Sequence, residues 1–202
     1  MSALVPLAWV TYAFLSDILL DTRHLGANPI KEAEHFTGRW VLRFLILALS
    51  VTPAVRFLRQ GWLIGYRRTF GLFAFFYACI HLTIYFVLDV ELTWSELVAD
   101  IIKRKYITIG MTALLLLVPL AVTSTKGWIR RLGNRRWKAI HRLVYVAVVL
   151  GTVHFYMAQK RDVTDPLVYG VVVATLLGWR LVQRRRRQAP RAVASPEPSP
   201  AA

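Results

Sequence analysis

Apolar residues arrive along this chain in long blocks separated by short polar connections. An α-helix needs about 20 residues to cross a hydrocarbon core some 30 Å thick. On that measure the blocks predict six membrane-spanning helices, over residues 4–20, 40–58, 70–88, 106–122, 137–157 and 166–182. The first is short, at 17 residues, and carries Asp17 near its end; no basic segment precedes it, so it is expected to be retained as a span and not cleaved as a signal. Pro53 and Pro119 fall near the ends of their blocks, where a lost backbone hydrogen bond is most easily replaced. The expected fold is an all-α integral membrane protein, a six-transmembrane-helix bundle filling residues 1–183. The tail over 184–202 is basic, then rich in Pro, Ala and Ser, and is expected to be disordered.

Composition agrees with the blocks: 56% of the 202 residues are hydrophobic. The net charge of +15 would point to nucleic acid if the basic residues lay on one soluble surface, but their positions are topological. The connection between the second and third spans, the one between the fourth and fifth, and the tail are rich in Lys and Arg and contain one acidic residue, Glu197. The other three connections, counted with Asp17, hold 8 basic and 10 acidic residues. The positive-inside rule then predicts both termini in the cytoplasm, and the nucleic-acid reading loses its support. The single cysteine, Cys79, excludes an internal disulfide or a CxxC site.

Candidate chemistry lies in three histidines inside apolar blocks: His81 in the third, and His141 and His154 near opposite ends of the fifth. Intramembrane imidazoles are costly unless they face the protein interior with a partner, and imidazoles on neighbouring helices can hold a haem iron from both faces. The third and fifth spans run in the same direction, which places His81 and His154 in the outer half and His141 alone at the inner end. His81 with His154 is the predicted axial pair; His141 belongs to a second site or is the alternative ligand of His81. On an ideal helix His141 and His154 differ by roughly 140° in azimuth, so two stacked sites would require tilt or local unwinding near Gly151. Thirteen residues before His81 stands Arg68, a poor axial ligand that could hold a haem propionate or a flavin phosphate, as could Arg67 and Arg135. Arg130, Arg131 and Arg136 are weaker candidates of the same kind. Trp40, Trp62, Trp128 and Trp137 lie near span ends as interfacial anchors. His24 and His35, in the polar outward connection, mark a docking surface for a partner.

The segments GANP, HFTGRW, RRTFGL, TSTKGWIRRLGNRRWKAIHRLVY and HFY, with His81–Leu82 and Thr52–Pro53, resemble one family over about residues 26–180. It is the MsrQ family, the haem-binding membrane subunits of bacterial methionine sulfoxide reductase systems, within the ferric-reductase-like transmembrane group. The resemblance implies haem b, one or two per chain, at His81, His141 and His154. It also implies a periplasmic molybdopterin catalytic subunit, MsrP, as electron acceptor. Quinone or a cytosolic flavin reductase would be the donor, FMN an associated cofactor, and the bacterial inner membrane the location. The chain would then be an electron-transfer subunit and not the catalytic one. The competing expectations are a stand-alone ferric or quinone reductase-like cytochrome b, and a non-redox membrane scaffold or carrier.

Overall fold

The first long helix shows why these segments fold as they do. Asn28 caps it, its side chain accepting from the Lys31 backbone N–H at 3.1 Å; Pro29 occupies the first turn, where no backbone donor is needed, and Glu32 faces the positive end of the helix dipole. The computed structural model describes residues 2–159 and 162–188, and among these every regular element is helical. The α-helices are α1 (Val5–Leu19), α2 (Pro29–Leu58), α3 (Tyr66–Ile84), α4 (Trp94–Lys103), α5 (Lys105–Val122), α6 (Lys126–Ile140), α7 (Leu143–Ala158) and α8 (Thr164–Gln188). A π-helical turn, Tyr85–Asp89, continues α3.

Helix α2 packs chiefly on α3, and α5 on α7, with α8 against α7 and α2 and α1 along α2. Ala74, Ala78 and Ala147 are buried at the crossings, where small side chains let backbones approach closely. Leu42, Leu45, Leu49, Tyr77 and Val148 fill the space between. Large apolar side chains such as Leu115 and Val171 point outward, 64% and 66% exposed, as a lipid-facing surface requires. The α1–α2 connection is sewn by Asp17, whose carboxylate accepts from Thr22 Oγ1 and from the His24 and Leu25 backbone N–H groups at 2.7–2.8 Å.

Pro53 inside α2 leaves the carbonyl of Leu49 without its helical donor, and the Arg180 guanidinium on α8 replaces it at 2.6 Å. The same guanidinium donates to Tyr145 Oη at 3.0 Å and Thr52 Oγ1 at 3.3 Å, so one intramembrane arginine ties α8 to α2 and α7.

Among the described residues, four helical segments are long and apolar enough to cross a membrane: Pro29–Leu58, Gly61–Asp89, Lys105–Val122 and Thr164–Arg186. The pair α6 and α7, bent by 41°, makes a fifth candidate, and α1 is a shorter apolar helix of 15 residues. This is a multi-pass membrane protein. Four segments differ from the hydrophobic pattern. The expected connection before residue 40 is helical from Pro29, because Lys31, Glu32 and Glu34 favour a helix as well as leucine does and only apolarity set the expected start. Most of the connection over 89–105 is α4, and the basic one over 123–136 forms most of α6, which is capped by Thr125, kinked at Gly133 with φ +70°, and runs on to Ile140. The expected continuous span 137–157 breaks at His141–Arg142. Gly151, the expected point of unwinding, lies within regular α7 and leaves room for Leu42. Of the tail expected to be disordered, residues 184–188 continue α8, and 189–202 lie outside the described residues.

Candidate functional site

Helices α2, α3, α5 and α7 line a partly open cavity of about 140 Å³. His81 from α3 and His154 from α7 both line it, their ring centroids 6.2 Å apart and their planes at 79°. His81 Nδ1 lies 2.9 Å from the Glu34 carbonyl, and His154 Nδ1 lies 2.7 Å from the Tyr106 carbonyl. A carbonyl only accepts, so in each ring Nδ1 carries the hydrogen and Nε2 keeps its lone pair. That is the tautomer a metal-binding imidazole needs, held by the backbone contact that commonly orients such ligands.

The two supports are built alike. Four residues after Glu34 comes Gly38, where a Cβ would lie 3.2 Å from His81 Cε1; four residues after Tyr106 comes Gly110, where it would lie 2.7 Å from His154 Nδ1. Each imidazole therefore rests on a helix turn whose carbonyl fixes it and whose glycine makes room for it. Among the described residues no cluster of three His, Cys, Asp or Glu could hold a metal ion, and the cavity presents two imidazoles.

His141 is elsewhere. It lies at the α6–α7 break, its ring centre 4.1 Å from that of Trp137 and tilted by 31°, and its Nε2 3.2 Å from Thr123 Oγ1. It lines a second cavity of about 570 Å³, with Arg67, Arg68, Lys138, Arg142 and Tyr145. The two cavities share Leu45 and Leu117, which stand between them. Arg135 does not line either cavity and is exposed on α6, as are Arg130, Arg131 and Arg136. His24 is exposed beside Tyr12, whereas His35 lines the cavity of His81 and His154. Sequence reasoning missed Glu34, Gly38, Arg39, Tyr106 and Gly110. The signal for three of them was present: 31, 34, 35, 38 and 39 fall on one helical face once α2 is extended to Pro29.

A multi-pass helical bundle presenting two backbone-fixed imidazoles to one cavity defines a class, the polytopic membrane proteins with an intramembrane histidine pair. Residues 37–152 match the family described as ferric reductase like transmembrane component. The protein-methionine-sulfoxide reductase heme-binding subunit MsrQ of Rhodospirillum rubrum is 48% identical over 190 residues, covering 93% of this chain and 88% of that protein. The subunit of the same name from Xanthomonas campestris pv. campestris strain 8004 is 44% identical over 201 residues, covering 98% and 92%. That of Caulobacter vibrioides is 43% identical over 186 residues, covering 92% and 86%. The chain belongs to the MsrQ family of heme-binding subunits, within the ferric-reductase-like transmembrane proteins.

Proposed function

We propose that this chain binds haem b in the outer cavity with His81 and His154 as axial ligands, and passes electrons to a periplasmic molybdopterin methionine sulfoxide reductase subunit of the MsrP kind. The observation that carries the reading is the pair of imidazoles whose Nδ1 atoms are both held by backbone carbonyls, on glycine-relieved turns. Bound haem would supply one-electron redox chemistry. The chain's own residues fix the ligand tautomer, exclude water with Leu42, Leu45, Ile107 and Leu114, and set the spacing of the rings.

The proposed topology is six spans in the bacterial inner membrane, with α1 the first, the bent α6–α7 pair carrying the fifth, and both termini in the cytoplasm. It puts the basic inner cavity on the cytoplasmic side. There His141, Arg67 and Arg68 suit a second haem or an FMN phosphate, and a quinone or cytosolic flavin reductase is the donor. His24, exposed on the outward connection, marks the docking side for the reductase subunit; His35 faces the cavity and serves it instead.

The test is a pyridine haemochrome assay with reduced-minus-oxidised spectra on purified wild type and on His81→Ala, His154→Ala and His141→Ala. Loss of the low-spin signal in the first two with retention in the third is expected. Retention in His154→Ala with loss in His141→Ala would make His81 and His141 the pair. A wild type without a Soret band after haem-sufficient expression would favour a non-redox scaffold. Survival of the physiological role after deletion of the periplasmic reductase subunit would favour a stand-alone ferric or quinone reductase.

A further inference from the structure

Arg39 is a cation in the wall of the outer cavity, ten residues inside α2 and therefore about 15 Å along the helix from Pro29. One turn further in, Arg43 has partners: its Nε donates to Tyr169 Oη at 2.8 Å and its guanidinium lies 4.8 Å from the Trp40 ring centre. Arg39 has no ion pair among the described residues. The carboxylate nearest in sequence, Glu34, is engaged by Lys31 at 3.2 Å, and Lys31 also holds Asp89 at 2.6 Å. His35, one turn outward on the same face, lines the cavity beside Arg39. A guanidinium in an apolar helix is retained at a cost unless an anion meets it. Lys31 and Glu34, already paired with each other, line the outer end of this wall, and Leu42, Leu45, Leu114 and Leu117 line its body, so the cavity has an apolar body and a polar edge in which Arg39 is the cation without an ion pair among the described residues.

We propose, resting on the haem reading above, that Arg39 with His35 forms the anion-binding wall of the outer cavity and takes the carboxylate side chains of the haem held by His81 and His154. A tetrapyrrole is a flat apolar body with an acidic edge, which is the complement of this wall. Arg39 is then a positioning residue: it fixes the rotation of the ring in the cavity, while the imidazoles hold the iron. A guanidinium can bind a carboxylate through two parallel N–H groups; a lysine keeps the charge and loses the fork.

The test reconstitutes full-length apoprotein with haem b and with its dimethyl ester, which has the same ring and iron and no acidic edge. Wild type is expected to bind the free acid roughly ten- to a hundredfold more tightly than the ester. Arg39→Met should bind both alike, and Arg39→Lys should recover part of the preference. Apo Arg39→Met should melt at or above wild type, because an unpaired charge has left the bundle, so lower haem affinity cannot be laid to misfolding. Full discrimination by Arg39→Met would overturn the proposal. So would unchanged discrimination with a loss of co-purifying phospholipid phosphate, which would assign the guanidinium to a lipid headgroup. If wild type binds neither porphyrin, the haem reading fails and this proposal with it; if it binds both equally, the haem reading stands and the role of Arg39 falls.

Discussion

Replacing Gly110 with alanine tests the support of His154 without touching either imidazole. The added Cβ would lie 2.7 Å from His154 Nδ1 and 2.8 Å from Cε1, where ordinary contact begins at 3.4 Å. The ring must retreat by ~0.7 Å, and it retreats from the Tyr106 carbonyl that fixes its tautomer at 2.7 Å. Overpacking of this kind costs ~1–3 kcal/mol, and a weakened hydrogen bond about 1 kcal/mol more. Loss of an outer-shell support typically lowers metal affinity ten- to a hundredfold, and that is the expected loss of haem affinity in Gly110→Ala. Gly38→Ala should act in the same direction and less, since its Cβ meets His81 at 3.2–3.3 Å and a shift of a few tenths of an ångström relieves it. Gly178→Ala, with nothing within 4 Å, is the control and should be neutral. The assay is haem per protein by pyridine haemochrome, read with the low-spin α-band and the midpoint potential. Full haem content and an unshifted spectrum in Gly110→Ala would refute the claim that this glycine makes room for a ligand.

Two further outcomes follow from the packing. Arg180→Leu should destabilise the detergent-solubilised protein by ~1–3 kcal/mol, because it strands the Leu49 carbonyl left without a donor by Pro53; the loss should shrink in a Pro53→Ala background, where the backbone supplies the N–H, and an equal loss in both backgrounds in a thermal-melt double-mutant cycle would break the link. Asp17→Ala removes three hydrogen bonds from the α1–α2 connection, so limited proteolysis should cut between Leu20 and Asn28 faster than in wild type while haem content is unchanged; an unaltered cleavage rate would count against it.

What could be read before the structure and what could not divide along physical lines. Apolar block length is a local property, so the all-helical membrane class was legible, as were the segments around Ala48, Ala74, Leu116 and Val173. Helix ends were not, because hydrophobicity reports where lipid is and a capped, charged turn such as Asn28–Glu34 is helical without it. His81 and His154 could be singled out from their cost in an apolar helix, and the structure sets both on one cavity. The continuous span expected over 137–157 came from assuming one ideal helix, and the structure breaks it at His141–Arg142.

By itself, then, the sequence determined the solvent in which this protein folds, the helical class and the residue types that carry its chemistry, because these depend on side-chain transfer energies summed over neighbours in the chain. The tertiary structure alone decided that Glu34 and Tyr106 lend their carbonyls to the two imidazoles, that Gly38 and Gly110 lie beneath them, and that His35 and Arg39 face the same cavity. Those pairings join residues 47 and 48 positions apart on different helices. They depend on how the helices cross and rotate, which is set by the packing of Ala74, Ala78 and Ala147 and not by any local preference.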